Sequence, residues 1–210
     1  MNEISRVVIV GMGGSAIGAD LLAACLLDRL DVPVFIHRDY GLPAFAHDRS
    51  TLVILTSHSG NTEETLSAFD EACKRRCQLM AITTGGRLHK AMLDAGLPVW
   101  VFTHHGQPRA AVGYSFALLL ALFTRLGLIS DPSQDLKAAL VTMRESAKCL
   151  DAQVPVKLNP AKRLAGQMVG RVVTVFASGF MAPVARRWKS QFNEVAKSGA
   201  NFEVLPEADH

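Results

Sequence analysis

"RVVIVGMGGSAIGADLL", residues 6–22, decides the fold. A run of β-branched residues enters a glycine-rich turn, and the turn opens a segment of small and apolar residues with helical spacing. A strand that feeds a helix through so short a turn is the first half of a βαβ unit. The same change of period recurs down the chain. Strand-like runs stand at 32–36, 51–55, 78–82 and 99–102, with helix-like segments at about 14–30, 62–76 and 87–95 between them. Short apolar strands alternating with helices predict a parallel sheet covered on both faces: a five-stranded, doubly wound α/β domain.

Beyond it the pattern predicts a long helix over 109–126. "LGLISDPSQD" then punctuates the chain, with Ser130 or Asp131 placed to cap a helix over 132–150 and Pro132 at its first position. A helix (160–169), a strand (171–176), a helix (182–197) and a strand (201–205) come next. "VVTVFASGFMAPVARRW" echoes the opening stretch as strand, small-residue turn and helix, which suggests a duplicated unit. Two strands do not bury a sheet by themselves. The expected organisation is therefore a first domain over 1–129, a connecting helix over 130–153, and the front half of a similar domain over 154–210.

A chain of 210 residues that is 49% hydrophobic and 20% charged, with mean hydropathy +0.20, forms a core and is not disordered. A net charge of +3 gives no argument for nucleic acid or an anionic membrane as partner. The most apolar run, "FALLLALF" at 116–123, is too short to span a bilayer and is closed by Arg125, so it reads as a buried or interfacial helix. "MNEISR" enters a strand at once, with no secretion signal in view. Four cysteines (25, 73, 77, 149) lack the spacing of a metal site. Cys73 and Cys77 would share a helix face. The expectation is reduced thiols in the cytoplasm.

Two turns carry the chemistry. "GMGGSA", 11–16, offers backbone N–H groups at a helix start to an anion. It fits a dinucleotide turn, with Asp39 as the acidic residue after the second strand, a phosphate turn, or a plain tight turn. "TSHSGNTEET", 56–65, comes after the third strand in the same way. Thr62 sits where helices are capped, but Ser57 and Ser59 exceed what one cap needs. Hydroxyls beside a helix N-terminus make an uncharged cradle for a phosphate dianion.

"GMGGSAIG" followed by "SHSGNTEETL" resembles the sugar isomerase (SIS) domain family. "GQPRAAVGYSF" (106–116), "APVARRWKSQFNEVAK" (182–197) and "LPEADH" (205–210) are similar to its bifunctional phosphoglucose/phosphomannose isomerases. The resemblance implies an aldose–ketose isomerase that interconverts glucose 6-phosphate or mannose 6-phosphate with fructose 6-phosphate through an enediolate, without metal or cofactor. It implies that Ser15, Ser57, Ser59 and Thr62 bind the hexose phosphate on turns made by Gly13, Gly14 and Gly60. Arg109 would steady the enediolate, Glu194 would move the proton between C1 and C2, and His210 would open the sugar ring. It also implies a homodimer with the site at the interface, the histidine coming from the partner. The chain departs from the family pattern before the first strand, where a helix or two are expected, and after His210, where the family carries a lysine. A non-catalytic sugar-phosphate-binding module is the alternative.

The residues alone say less. Glu194, on a helix with Arg186, Arg187, Lys189 and Lys197, reads as a surface ion-pair residue. Arg109 reads as a loop residue, though a cation at a helix start mildly favours an anionic partner. A terminal His210 reads as inert. His104 and His105 stand at the carboxyl edge of the sheet with a structural or solvent-facing role, and His58 points away from its flanking serines if that segment is extended.

Overall fold

In the computed structural model, which describes residues 4–210, strand β3 (Thr51–Ser57) is buried along its whole length, and a sheet is built outward from it. β1 (Arg6–Val10) and β4 (Gln78–Thr83) flank it, and β2 (Val34–His37) and β5 (Val99–Val101) form the edges. The order is β2-β1-β3-β4-β5 and every pairing is parallel. This is the doubly wound architecture the alternating periods predict. Burial explains the composition of β3: a strand covered on both faces reads as continuous apolar sequence.

Helices α1 (Gly13–Cys25), α2 (Glu63–Lys74), α3 (Gly86–Asp94) and α4 (Val112–Arg125) cover the sheet. Val8, Val10, Val53, Leu55, Leu79 and Ala81 pack with Ala68 and Ala72 of α2 and Leu88 and Met92 of α3. The alternate strand residues Val7, Ile9 and Ile54 are fully buried, as are Leu22 of α1 and Leu119 and Phe123 of α4. The α1–α4 contact is close: a Cβ on Gly18 would lie 2.6 Å from Ser115 Cβ. The 116–123 run is thus a core helix, with Leu119, Leu120, Leu122 and Phe123 buried.

Several boundaries differ from expectation, three of them with consequences for the helices. α1 stops at Cys25, short of residue 30. The helix expected from residue 109 is a short 3₁₀ turn (Pro108–Ala110), a hinge at Ala111 with φ −95° and ψ 11°, and only then α4. α2 ends at Lys74, so Cys77 lies beyond it with its N–H on the Ala72 carbonyl and does not share a helix face with Cys73. The chain divides into two compact units between Leu128 and Ile129.

In the second unit, β6 (Val173–Ser178) and β7 (Ala200–Leu205) pair in parallel, joined by α7 (Ala182–Gln191), which packs on both. α5 (Ser133–Leu150) buries none of its residues. Its N-cap position is Pro132, one place later than expected for the cap and without a side-chain cap; Asp131 lies just before it, its Oδ1 accepting from the Ser133 N–H at 3.0 Å. α6 (Pro160–Met168) is capped by buried Asn159, which accepts from the Lys162 N–H at 3.1 Å and donates to the Asp151 carbonyl at 3.1 Å. The helix expected through residue 197 leaves α-geometry at Phe192. A wider turn, Phe192–Ala196, closes on i→i+5 bonding from Lys197 N–H to the Phe192 carbonyl, and Lys197 ends it at φ 55°. Among the described residues, no helix is long and apolar enough to cross a membrane.

Gly60 tests the packing of the loop after β3. Its φ is +65°, and a Cβ there would fall 1.8 Å from the Gly85 carbonyl oxygen. Gly60→Ala is expected to lower stability by about 1–3 kcal/mol through backbone strain alone. Urea unfolding at wild-type midpoint would contradict this.

Candidate functional site

The chain winds from β1 toward one edge through α1 and from β3 toward the other through α2 and α3. Where strand order reverses, an open parallel sheet leaves a crevice beyond the carboxyl ends of its strands, and ligands bind there. The glycine turn after β1 and the hydroxyl loop after β3 both open at this point. They are tied together: Ser15, buried in the first turn of α1, accepts from the His58 N–H at 3.1 Å through its Oγ.

Ser57 ends β3 and is 2% exposed. Its Oγ accepts from the Gly60 N–H at 3.0 Å and shares a 2.8 Å hydrogen bond with Thr62 Oγ1. Ser59 is exposed, and its Oγ accepts from the Asn61 N–H at 3.2 Å. Ser15 and Ser59 each accept from a backbone N–H, which leaves their own O–H hydrogens to donate. Thr62 stands at the N-cap of α2 but does not cap it, because its hydroxyl is turned to Ser57. No side chain caps α1 at Met12 either. Neither helix spends its N-terminal donors on a side chain, and such donors receive anions.

The loop is held from the far side by the β4–α3 connection. Thr84 gives both its N–H (3.2 Å) and its hydroxyl (2.6 Å) to the His58 carbonyl, Leu88 N–H donates to the Gly60 carbonyl at 2.8 Å, and Arg87 N–H donates to Asn61 Oδ1 at 3.1 Å. Arg109 reaches the crevice through its backbone. The Pro108–Ala110 turn lies so close to α1 that a Cβ on Gly14 would sit 2.8 Å from the Pro108 carbonyl oxygen and 3.3 Å from the Arg109 nitrogen. Gly14 thus serves this approach, and Gly13 supplies a positive φ of 50°. Asp39 is spent locally, accepting from the Tyr40 N–H at 2.8 Å. Among the described residues, no three His, Cys, Asp or Glu side chains converge as metal ligands would.

Glu194 and His210 belong to the second unit. Glu194 sits half-buried in the widened turn after α7, and its charge opposes the burial that pulls the Arg187 guanidinium below its ordinary pKa. His210 is exposed and donates its N–H to the Glu207 carbonyl at 3.1 Å, after the short turn Glu207–Asp209. In chain order the two residues stand on either side of β7, Glu194 before its start and His210 after its end.

One group of residues escaped the sequence reading. His58 Nε2 and His104 Nδ1 lie 2.9 Å apart, with the ring of Phe102 edge-on to His58 and that of Tyr114 stacked on Phe102 and near His104. His105 is exposed. The signal was a histidine inside the hydroxyl loop and a histidine pair after β5, but only the strand order, with β4 between β3 and β5, gives the span they bridge.

Residues 157–210 match the family described as the bacterial phospho-glucose isomerase C-terminal SIS domain. The chain is 42% identical to the bifunctional phosphoglucose/phosphomannose isomerase of Caldicellulosiruptor bescii, over 99% of its own length and 61% of that protein. Residues 157–210 are thus similar to an SIS (sugar isomerase) domain, and nearly the whole chain is similar to these isomerases. The enzyme of the same name from Aquifex aeolicus is 36% identical over 97% of the chain and 60% of its own length. The chain thus spans about three fifths of the length of the relatives it matches. Its fold is shared with the C-terminal domain of glucosamine-fructose-6-phosphate aminotransferase from Francisella tularensis, at TM-score 0.71 and 15% identity over 98% of the chain and 60% of that one.

Burial separates the two loop serines. Ser57→Ala orphans the Gly60 N–H and is expected to cost about 1–3 kcal/mol, whereas Ser59→Ala at the surface leaves stability within about 0.5 kcal/mol. Thermal melts of the two variants decide it: equal shifts would contradict the hydrogen-bond assignment.

Proposed function

We propose that this chain acts in aldose–ketose isomerisation of a hexose 6-phosphate, interconverting glucose 6-phosphate or mannose 6-phosphate with fructose 6-phosphate. The observation that supports the reading is the pair of hydrogen bonds joining Ser57 to Thr62 and Ser15 to the His58 N–H, with Ser59 next along the loop, beside two helix N-termini without side-chain caps at the point where strand order reverses. Such a cradle holds a dianion by hydrogen bonds and helix dipoles, and leaves the sugar carbons to other residues.

The reaction requires a base that takes the proton from C2 and returns it to C1. A carboxylate suits this, and Glu194 is assigned the role. The widened turn that carries it supports the assignment, since such turns concentrate at functional positions. Negative charge gathers on the O1–C1–C2–O2 unit of the enediolate, and a cation placed there lowers the barrier. Arg109, held beside Gly14 at the start of α1, is assigned to it. Ring opening needs an acid–base group active near neutrality, and the imidazole of His210 fits. Because Glu194 precedes β7 in the chain and His210 follows it, a homodimer in which the partner supplies the histidine is part of this proposal.

Binding remote from the reacting carbons orients the substrate and lowers the barrier when it strengthens in the transition state. Glu194→Gln is therefore expected to abolish turnover in a coupled assay with both hexose 6-phosphates, about 10²-fold or more, while calorimetry still records fructose 6-phosphate binding. Wild-type turnover in that variant removes Glu194 as the base. Light scattering is expected to give a dimer at micromolar concentration, and a stable monomer would exclude the shared site. The second reading is sugar-phosphate binding without turnover. Its signature is fructose 6-phosphate binding without activity in wild-type protein.

A further inference from the structure

We infer that His58 and His104 form an imidazole clasp that positions the phosphate loop, and that its opening in acid weakens phosphate binding. The inference rests on the reading of Ser15, Ser57, Ser59 and Thr62 as the phosphate cradle. The clasp is a positioning device: neither ring is assigned to the sugar or to the proton transfer.

The geometry is that of a bridge. His58 lies between the two loop serines, and its backbone N–H, its carbonyl and its Nε2 are all engaged. Its N–H goes to Ser15 of α1, its carbonyl receives the N–H and hydroxyl of Thr84 after β4, and its ring nitrogen meets His104 after β5. One residue thus joins the ends of four neighbouring elements. Its backbone N–H sets where the Ser15 hydroxyl stands, and its peptide planes set the separation of Ser57 and Ser59. The ring contact keeps that peptide from turning. Phe102 and Tyr114 pack around the pair, with centroid distances of 5.9 Å from Phe102 to His58, 5.2 Å between Phe102 and Tyr114, and 5.6 Å from Tyr114 to His104. They confine both rings and partly exclude the water that would otherwise replace the bond.

The contact needs one proton between two nitrogens: one ring donates, the other accepts with a bare lone pair. A first added proton on the donor ring's other nitrogen leaves the bond in place. A second proton, on the accepting nitrogen, turns the contact into two N–H groups and two positive charges face to face, and the bond is lost. The groups meeting the pair are Phe102 and Tyr114, with Ser15 and Thr84 on the His58 backbone, and Tyr114 is the titratable one among them. Burial first, and then the charge of His104, hold His58 below the ordinary histidine value. The clasp is therefore intact at neutral pH and opens only as pH falls through that lowered value.

The test uses isothermal calorimetry with fructose 6-phosphate from pH 7.5 to 5.5 on wild-type, His58→Gln and His58→Phe proteins. The ligand's own second ionisation lies near pH 6 and weakens binding to all three alike, so the readout is the ratio of Kd values at each pH. The glutamine amide takes the place of Nε2 and donates or accepts as His104 requires. It is expected to bind like wild-type protein at pH 7.5 and to become about threefold to tenfold tighter than wild-type at the acid end, the worth of one hydrogen bond. Phenylalanine keeps the ring but not the bond. It is expected to bind about threefold to tenfold weaker at pH 7.5 and to converge on wild-type in acid. Ratios of one at every pH for both variants overturn the clasp while leaving the phosphate reading intact. Absence of fructose 6-phosphate binding to the wild-type protein overturns the phosphate reading itself and the clasp with it.

Discussion

β1 and β3 lie side by side, β3 running two residues beyond the Val10–Leu55 pair to Ser57, and the chain must leave them toward opposite faces of the sheet. That constraint organises the first unit. The seam between the two strand ends is closed by Thr56, whose hydroxyl donates to the Val10 carbonyl at 2.9 Å, and by the bareness of Gly11, where a Cβ would meet Thr56 Oγ1 at 2.4 Å. With the seam shut, two helices start from nearly the same place, and their N-termini face one opening. The hydroxyls gathered there are a consequence of where the backbone splits.

The adjoining loops are tied into that opening by short polar bonds between chain segments far apart in sequence. Ser15 reaches His58 across 43 positions, and His58 reaches His104 across 46. Apolar packing fixes the sheet to within the width of a side chain, but the loops beyond it are polar, and only directional bonds hold them to a fraction of an ångström. Each such bond is worth little by itself. Together they hold a concave set of donors in place before any ligand arrives, which removes ordering cost from binding.

Much of this was legible in the sequence because the sheet imposes period on it. A strand covered on both faces must read as "TLVILTS", and a tight turn into a helix must read as glycine and small residues. The five strands and their parallel winding come from those two rules. The features that stayed hidden depend on neighbours in space. Thr62 looked like a cap because it stands where caps stand, but the nearer partner for its hydroxyl is Ser57. Gly14 looked like turn chemistry, and its close neighbour is Pro108, more than ninety positions along. His58 and His104 carry no local signal of pairing. For the second unit, the pattern gave strand and helix type correctly but placed α-helix over a segment whose hydrogen bonds skip an extra residue, because periodicity over five residues does not distinguish 3.6 from a slightly larger repeat.

That extra residue has a consequence for how the chain can change. In a regular helix each residue advances the side-chain direction by about 100°. The wide turn at Phe192–Ala196 behaves as one residue let into the helix, so the carboxylate of Glu194 points where it does by virtue of a count. Removing any single residue from this turn would restore ordinary winding and swing the side chains downstream of the deletion by about that angle, with no change in which side chains are present. A comparison of relatives that scores residue identity at this position would miss the difference, and one that counts residues between Pro183 and Ala200 would find it.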